Sequence, residues 1–335
     1  RHFQDPRLIQ LFGRYATYCG ASPFEAPGTL MLIAHAEQRG VWLIDGGMKA
    51  LALLFARLSR DLGAEVRTSC AVKEILVKDR SVTGVVLANG ERLEADAVVF
   101  NGDVNALASG CLGPALAAAG SRLAYGERSQ SALTWSLVGS GSGFDLAPHT
   151  VFFSADYQAE FENVFKRKKL PGSPTVYVHA PDRPPDGRPM DGGEKERLFV
   201  LVNAPALADG TDITAEEQER CEESMLSLMR RVGLNLQWQQ GEMVRTSPQE
   251  FARRFPASQG ALYGRVAHGW RSSFQRPGSK GPLKGLYLAG GSVHPGPGVP
   301  MATLSGRLAA RSLLNDFHSR VPYRQAGIIG GMSTA

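Results

Sequence analysis

The residues best suited to chemistry lie in one stretch, "YLAGGSVHPGPGVPMATLSGRLAA", from Tyr287 to Ala310. A short apolar strand ends at Gly290 and Gly291. A loop rich in glycine and proline then carries His294, and Val299, Pro300 and Met301 open a helix. The paired glycines have no Cβ, so a bulky flat or phosphorylated ligand can approach the backbone. Pro300 suits a first helical turn, where its missing N–H is no loss. A helix N-terminus adds free N–H groups and a partial positive charge of about half a unit. An electron-rich cofactor edge fits that end, because it gains hydrogen bonds and its reduced, anionic form gains charge stabilisation. The helix places Ala302, Ser305, Gly306, Ala309 and Leu313 on one face, which allows close packing against a sheet. The same pattern also serves a plain strand–turn–helix, and this stretch alone leaves both readings open.

Other phosphate-binding patterns are missing from the sequence. Neither GxGxxG nor GxxxxGK[ST] occurs. "GSGSG" at 139–143 has the wrong spacing and no helix after it, which predicts a loop. His179, His268 and His294 are the candidate bases, and His294 stands out because it lies in the glycine-rich loop. The four cysteines, Cys19, Cys70, Cys111 and Cys221, form no CxxC or Cys/His cluster. They are expected to be small buried hydrophobes in a reducing compartment, with no metal site.

The elements that position these residues come from an ordinary globular composition. The chain has 335 residues, 43% hydrophobic and 21% charged, with a net charge of +5. That balance is only mildly basic. The one dense basic run, Lys166 to Lys169, lacks the spread of cations and aromatics that nucleic acid needs. No apolar run approaches the roughly 18 residues of a membrane span, and no signal-peptide pattern is present. The first residue is Arg1 and the chain opens inside a helical pattern, so a longer parent protein is expected.

Helical spacing of Leu8, Leu11, Phe12, Tyr15 and Cys19 predicts a helix over 7–19, with another over 29–39. "GVWLIDGG" predicts a strand ending in Gly46 and Gly47. A helix over 48–62 follows, with Leu51, Leu54, Phe55, Leu58 and Leu62 on one face. "AEVRTS" and "AVKEILVKD" predict strands. The run 81–100 predicts a hairpin at Asn89-Gly90 and an apolar strand at Ala97–Phe100, followed by "NGDVNAL". Polar and glycine residues at such a strand end are where open α/β sheets bind ligands. From about Cys111 the character changes to strands of a different sheet, at 129–140, 175–181 and 197–206. An amphipathic helix over 154–169 carries Tyr157, Phe161, Val164 and Phe165 on one face, and the loop 180–195 is expected to be exposed. Thr214 and Glu217 form a capping box for a helix over 214–233.

Four tracts together resemble one family. "VWLIDGGMKALALLFARLSRDLGAEVRTSCAVKEI", "FNGDVNAL", "HTVFFSADYQAEFENVF" and "LYLAGGSVHPGPGVPMATLSGRLAA" are similar to the FAD-dependent carotenoid desaturases of the phytoene desaturase family. Within that family the likeness is strongest to the bacterial 1-hydroxycarotenoid 3,4-desaturases, and the amine-oxidase-like flavoproteins share the wider fold.

The resemblance implies an α/β fold: a partial, Rossmann-like FAD-binding domain with an inserted mixed-sheet, α+β substrate domain. The implied arrangement is a helical part of the substrate domain over 1–40, cofactor domain over 41–112 and 281–318, substrate domain over 113–280, and a tail over 319–335. It implies FAD contacts at Gly46, Gly47, Val72, Gly290, Gly291, Val299, Pro300 and Met301. It implies catalytic roles for Asp5 and His294. Family members begin with a strand–GxGxxG–helix unit for the pyrophosphate, so an incomplete FAD site is expected here. The implied reaction is carotenoid desaturation by hydride transfer to the flavin. Phytoene desaturation, redox-neutral isomerisation and a non-catalytic lipid-binding fragment are the alternatives. The expected partner is a hydrophobic polyene, with no nucleic acid. The expected location is cytoplasmic, with peripheral contact at the inner membrane through the helix ending at Lys166–Lys169.

Overall fold

The computed structural model describes residues 3–120, 128–184, 195–207 and 212–318. The expected tail over 319–335 and most of the expected loop over 180–195 lie outside them. Asp5 caps the first helix, α1 (Pro6–Gly13), by accepting from the Arg7 N–H. The chain then tightens into 3-10 turns over Arg14–Cys19. That tightening rotates the buried face. Leu8 and Leu11, on the expected apolar face, are exposed, whereas Arg14, Ala16 and Thr17 are buried. A second 3-10 turn leads into α2 (Leu32–Glu37).

The expected strand at 40–47 does not form. Val41, Trp42 and Leu43 are exposed, and no strand pairs with them among the described residues. An apolar run becomes a strand only where a neighbour takes its N–H and C=O groups. Helix α3 (Gly47–Asp61) forms where its spacing predicts, yet none of its residues is buried. "AEVRTS" is also not a strand.

Strands β1 (Val72–Lys78), β2 (Ser81–Leu87) and β3 (Arg92–Glu94) make an antiparallel sheet, with the turn at Asn89-Gly90 as expected. Strand β4 (Val98–Phe100) leads into α4 (Asn105–Ala108) and α5 (Pro114–Ala119). Next comes β5 (Ser131–Ser142), which runs straight through the expected Gly-Ser loop. Gly139 explains why those glycines belong in a strand. A Cβ there would stand 2.3 Å from the Gln237 carbonyl oxygen, so only glycine allows the neighbouring backbone to approach.

Strands β6 (His149–Phe152), β7 (Val176–His179) and β8 (Glu196–Ala204) extend that sheet, and α6 (Tyr157–Phe161) with a π-helical turn over Glu162–Arg167 lies between the first two. Helix α7 (Ala215–Arg231) has the expected capping box. It precedes β9 (Asn235–Gln237), β10 (Met243–Thr246) and α8 (Pro248–Arg254). The large sheet runs β10-β5-β8-β7-β6 and is antiparallel throughout, with β9 pairing the far end of β5. Its core packs Leu133, Trp135, Val200 and Val202 against Met225 and Met229 of α7. The Trp135 indole donates to Glu222 Oε2 at 2.8 Å, so its polar edge is satisfied.

The chain returns as β11 (Leu286–Leu288), which pairs in parallel with β4 in the register Leu286↔Val98 to Leu288↔Phe100. Helix α9 (Val299–His318) packs its small face, Ser305 and Ala309, over β11. Leu286 and Leu288 point into a second core with Ile75, Val82, Leu107 and Leu116. The fold is mixed α/β. No helix of the described residues is long and apolar enough to cross a membrane.

Of the cysteines only Cys221 is buried; Cys19 and Cys70 are half-buried and Cys111 is exposed, against the expectation of burial for all four. The exposed Cys111 lies in a short turn between α4 and α5, where nothing covers it. Among the described residues no group of three or more potential metal ligands gathers.

Candidate active site

Parallel pairing of β4 and β11 sets two strand ends side by side. Asn101, Gly102 and Asp103 follow one; Gly290, Gly291 and Ser292 follow the other. Together they line one side of a cavity of about 340 Å3, and Phe251, Phe255, Ser258, Ala261, Leu262 and Gly264 line the rest. Ligands of open α/β sheets sit just beyond the carboxyl ends of parallel strands, for the same reason: there the backbone turns away and leaves a crevice.

The glycine edge is held tightly. Gly290 has φ +113°, and a Cβ there would stand 2.4 Å from Asn101 Oδ1. Its N–H donates to Ser305 Oγ of α9 at 2.8 Å, and the Ser305 hydroxyl donates to the Ala302 carbonyl at 2.6 Å. The stripe of small residues on α9 thus brings one hydroxyl to the strand end. Ser292 bridges back: the Val104 N–H donates to its Oγ at 3.3 Å, and its hydroxyl reaches the Gly102 carbonyl at 3.3 Å.

Two buried guanidinium groups flank this edge. Arg128 Nη1 lies 3.2 Å from Asp103 Oδ1, and its Nη2 donates to the Ala257 carbonyl at 2.6 Å. Arg276 Nη1 donates to the Tyr263 and Gly291 carbonyls at 2.8 and 2.9 Å, and Nη2 donates to the Arg265 carbonyl at 2.8 Å. Burial pulls the Arg276 pKa down, partly countered by Cys19 and Asp103. The carbonyls it gathers fix the loop of residues 263–265 against the glycine pair.

The other expected site residues are placed as follows. Val299, Pro300 and Met301 form the first turn of α9 and are exposed, so its N-terminal end is open. Gly46 caps α3 with φ 79° and Gly47 begins it; a Cβ on Gly47 would meet nothing within 4 Å. Val72 begins β1 opposite Leu87 and is 43% exposed. No hydrogen bond joins Gly46, Gly47 or Val72 to the 290–301 segment among the described residues. His294 donates its backbone N–H to the Pro277 carbonyl at 2.9 Å, and its side chain is exposed. Asp5 Oδ1 accepts from the Arg7 N–H and Nε, and Oδ2 accepts from Arg7 Nη2 at 2.7 Å. Arg7 holds that carboxyl below its usual range.

The other two histidines are tied into the framework. His268 Nε2 accepts from the Ser22 N–H at 2.9 Å, and Nδ1 lies 3.2 Å from Glu25. Burial pushes its pKa down, against the pull of Glu25. His179 Nδ1 is 2.8 Å from the Pro148 carbonyl, and its ring stacks on His149.

Family comparison fits this geometry. The family described as flavin containing amine oxidoreductase matches residues 2–314. The chain belongs to this family. Among relatives of the flavin amine oxidoreductase chain, "Hydroxyneurosporene desaturase" of Rubrivivax gelatinosus is 52% identical over 334 residues, covering 100% of this chain and 63% of the relative. A protein of the same description from Cereibacter sphaeroides is 45% identical over 318 residues, covering 95% and 63%. The chain therefore spans 63% of the length of these curated relatives. A solved oxidoreductase from Methanosarcina mazei superposes with a TM-score of 0.56 at 16% identity, over 93% of this chain and 65% of that one, and shares the fold.

A flavin family member needs an electron-poor edge for the ring and apolar walls for its substrate. The described residues fit the ring side. The backbone at Gly291 is open, with no atom closer than 3.7 Å to a Cβ built there, and the first turn of α9 is uncovered. Sequence reading found the glycines and the strand-end tract "NGDVNAL", but it missed Arg128 and Arg276. Both lie in unremarkable contexts, "GERSQ" and "SFQRPG", and their partners are far away along the chain.

Proposed function

We propose that this chain forms the flavin-ring side and the substrate chamber of an FAD-dependent carotenoid desaturase acting in carotenoid biosynthesis. The cavity between the glycine edge and Phe251 and Phe255 carries the reading, because it sets an apolar wall opposite a strand end that has glycines at 290 and 291. Its support in comparison is the desaturase description of the two relatives above. We also propose the discontinuous arrangement of cofactor domain over 41–112 and 281–318 around a substrate domain, for which the β4–β11 pairing is the support.

In this reading Gly46, Gly47, Val72, Gly290, Gly291, Val299, Pro300 and Met301 hold the FAD. FAD held there would supply the hydride acceptor for the bond to be desaturated. The chain's part is to orient the polyene and exclude water. Phe251, Phe255 and Leu262 offer flat and branched apolar surface, and the Asp103–Arg128 pair keeps the strand end rigid. Positive charge left on the polyene is delocalised, so a weak base suffices for the proton lost from the neighbouring carbon. His294 is assigned that role, being an exposed imidazole in the glycine-rich loop. Asp5 is the second candidate, with both carboxylate oxygens already accepting from Arg7.

The pyrophosphate contacts lie outside this set, since the chain has no GxGxxG. The chain by itself should bind FAD weakly; a tight, stoichiometric flavin titration overturns that. Desaturation itself is tested by expressing the gene in cells that accumulate hydroxyneurosporene. Pigment absorbing at longer wavelength is expected, and unchanged pigment overturns the reading. Peripheral contact with the cytoplasmic face of the inner membrane is proposed through exposed Lys166, Arg167 and Lys169. Liposome binding that survives neutralising these cations rules it out.

A further inference from the structure

Behind the glycine-edged cavity lies a second one of about 170 Å3. Leu262 lines both. The partition is pinned in place: the Leu262 N–H donates to the Gln130 carbonyl at 3.1 Å, and the Tyr263 N–H donates to Ser129 Oγ at 3.0 Å. The second cavity is lined by Arg14, Gln130 and Ser131, all nine-tenths or more buried. Among the described residues, Arg14 Nη1, Gln130 Oε1 and Ser131 Oγ have no hydrogen-bond partner. Native proteins rarely bury such atoms unmet unless something else satisfies them.

A relay of hydrogen bonds fixes which way Gln130 points. Glu160 is buried, and its Oε2 accepts from the Thr175 N–H at 3.1 Å and from the Thr175 hydroxyl at 2.5 Å. Its Oε1 accepts from Asn203 Nδ2 at 2.8 Å. Asn203 Oδ1 is then left to accept from Gln130 Nε2 at 3.1 Å. With Glu160 ionised, turning the Gln130 amide over would set oxygen against oxygen. Gln130 Oε1 is therefore an acceptor in need of a donor, while a guanidinium N–H of Arg14 can only donate. Arg14 forms no ion pair among the described residues.

We propose that this second cavity binds an alcohol: the hydroxyl-bearing end of the polyene, accepting from Arg14 Nη1 and donating to Gln130 Oε1. The inference rests on the polyene reading above and adds the feature that selects among polyenes. An apolar chain end leaves all three polar atoms unmet. A carboxylate answers Arg14 but sets an oxygen against Gln130 Oε1. Ala132 and Leu201 line the cavity beside these polar atoms, which suits a branched alcohol end. Leu262 lines both cavities, so a polyene with its hydroxyl held here would pass beside that side chain to reach the glycine edge.

The experiment titrates the chain with hydroxyneurosporene and with neurosporene in mixed micelles, following quenching of tryptophan fluorescence. The hydroxylated polyene is expected to bind at least about tenfold tighter, the value of one well-made hydrogen bond to a charged group. Gln130→Met and Arg14→Met should each collapse that gap. Ser131→Ala, a smaller change, should narrow the gap and serves if either larger replacement prevents folding. Equal affinity of the unaltered chain for both polyenes means that water alone fills the cavity, and it overturns the inference while sparing the polyene reading. A gap that persists in folded variants overturns it too. Binding of neither polyene removes the polyene reading itself.

Discussion

Arg128 and Asp103 face each other with both side chains out of water, 0% and 7% exposed, at 3.2 Å. Arg128 shortly precedes β5 of the large sheet; Asp103 lies just past the end of β4. The pair therefore joins the substrate-side sheet to the strand end that lines the candidate flavin edge. A buried charge left without its partner costs about 3–5 kcal/mol. Arg128→Met and Asp103→Ala should each lower unfolding free energy by about that amount, read from urea denaturation. The double variant Arg128→Met/Asp103→Leu should recover part of the loss. Two additive single losses would show that the pair does not act as a unit.

Gly290→Ala should harm both folding and flavin binding. Its Cβ would fall 2.4 Å from Asn101 Oδ1, in a backbone conformation with φ +113°. Strain of this kind costs of order 1–3 kcal/mol. Ser305→Ala removes the acceptor for the Gly290 N–H and should cost about 1–3 kcal/mol without adding bulk. Thermal unfolding of the two variants, with flavin affinity measured alongside, separates strain from the lost hydrogen bond. Unchanged stability in both would show that the edge is looser than these distances require.

Acid should weaken the wall opposite that edge. Glu250, in the first turn of α8, is held at about 2 rather than 4.5, first by Arg253 and then by Arg254. A carboxyl depressed in the folded state stabilises fully above its unfolded value. Its contribution is then lost as pH falls from about 4.5 to about 2. The carboxylate is reached by solvent, so the effect is small and screened by salt. Denaturation midpoints of the unaltered chain and of Glu250→Gln should differ above pH 4.5 and converge below it. A difference that ignores pH would place the effect elsewhere.

Thiol chemistry should divide the cysteines by depth. Burial, with Glu160 and Glu222 nearby, pushes the Cys221 thiol up to about 12, and burial also raises Cys19. Cys111 is exposed. Near neutral pH a thiol reagent should label Cys111 in the native chain and Cys221 only after unfolding, because the thiolate is the reactive form. Mass mapping of native labelling that includes Cys221 would contradict this.

Much of the framework was legible because it is local. The capping box at Thr214 and Glu217, the turn at Asn89-Gly90 and the strand–turn–helix after Leu286 each rest on residues within a few positions of one another. The misreadings share the opposite character. "VWLI" has the composition of a strand but no strand beside it, and "GSGSG" resembles a loop until Gln237 is found against it. Arg14 lies between apolar residues of a helical pattern, and only the switch to 3-10 turns puts it indoors. The ring-side glycines were visible through their missing side chains. The guanidinium groups that hold them were not, because nothing near Arg128 or Arg276 in the chain hints at their distant partners.

The parallel pairing of β4 and β11 also governs how the molecule can come into being. Val104 and Ser292 meet at the candidate site although 188 residues separate them. Closing a loop of that length must be met in chain entropy before the two-stranded pair gives anything back. The large antiparallel sheet, built from nearer neighbours, is free to collapse first and draw the two ends together. The cleft between Asn101 and Gly290 is then a late product of folding. During synthesis that cleft cannot exist until β11 has left the ribosome.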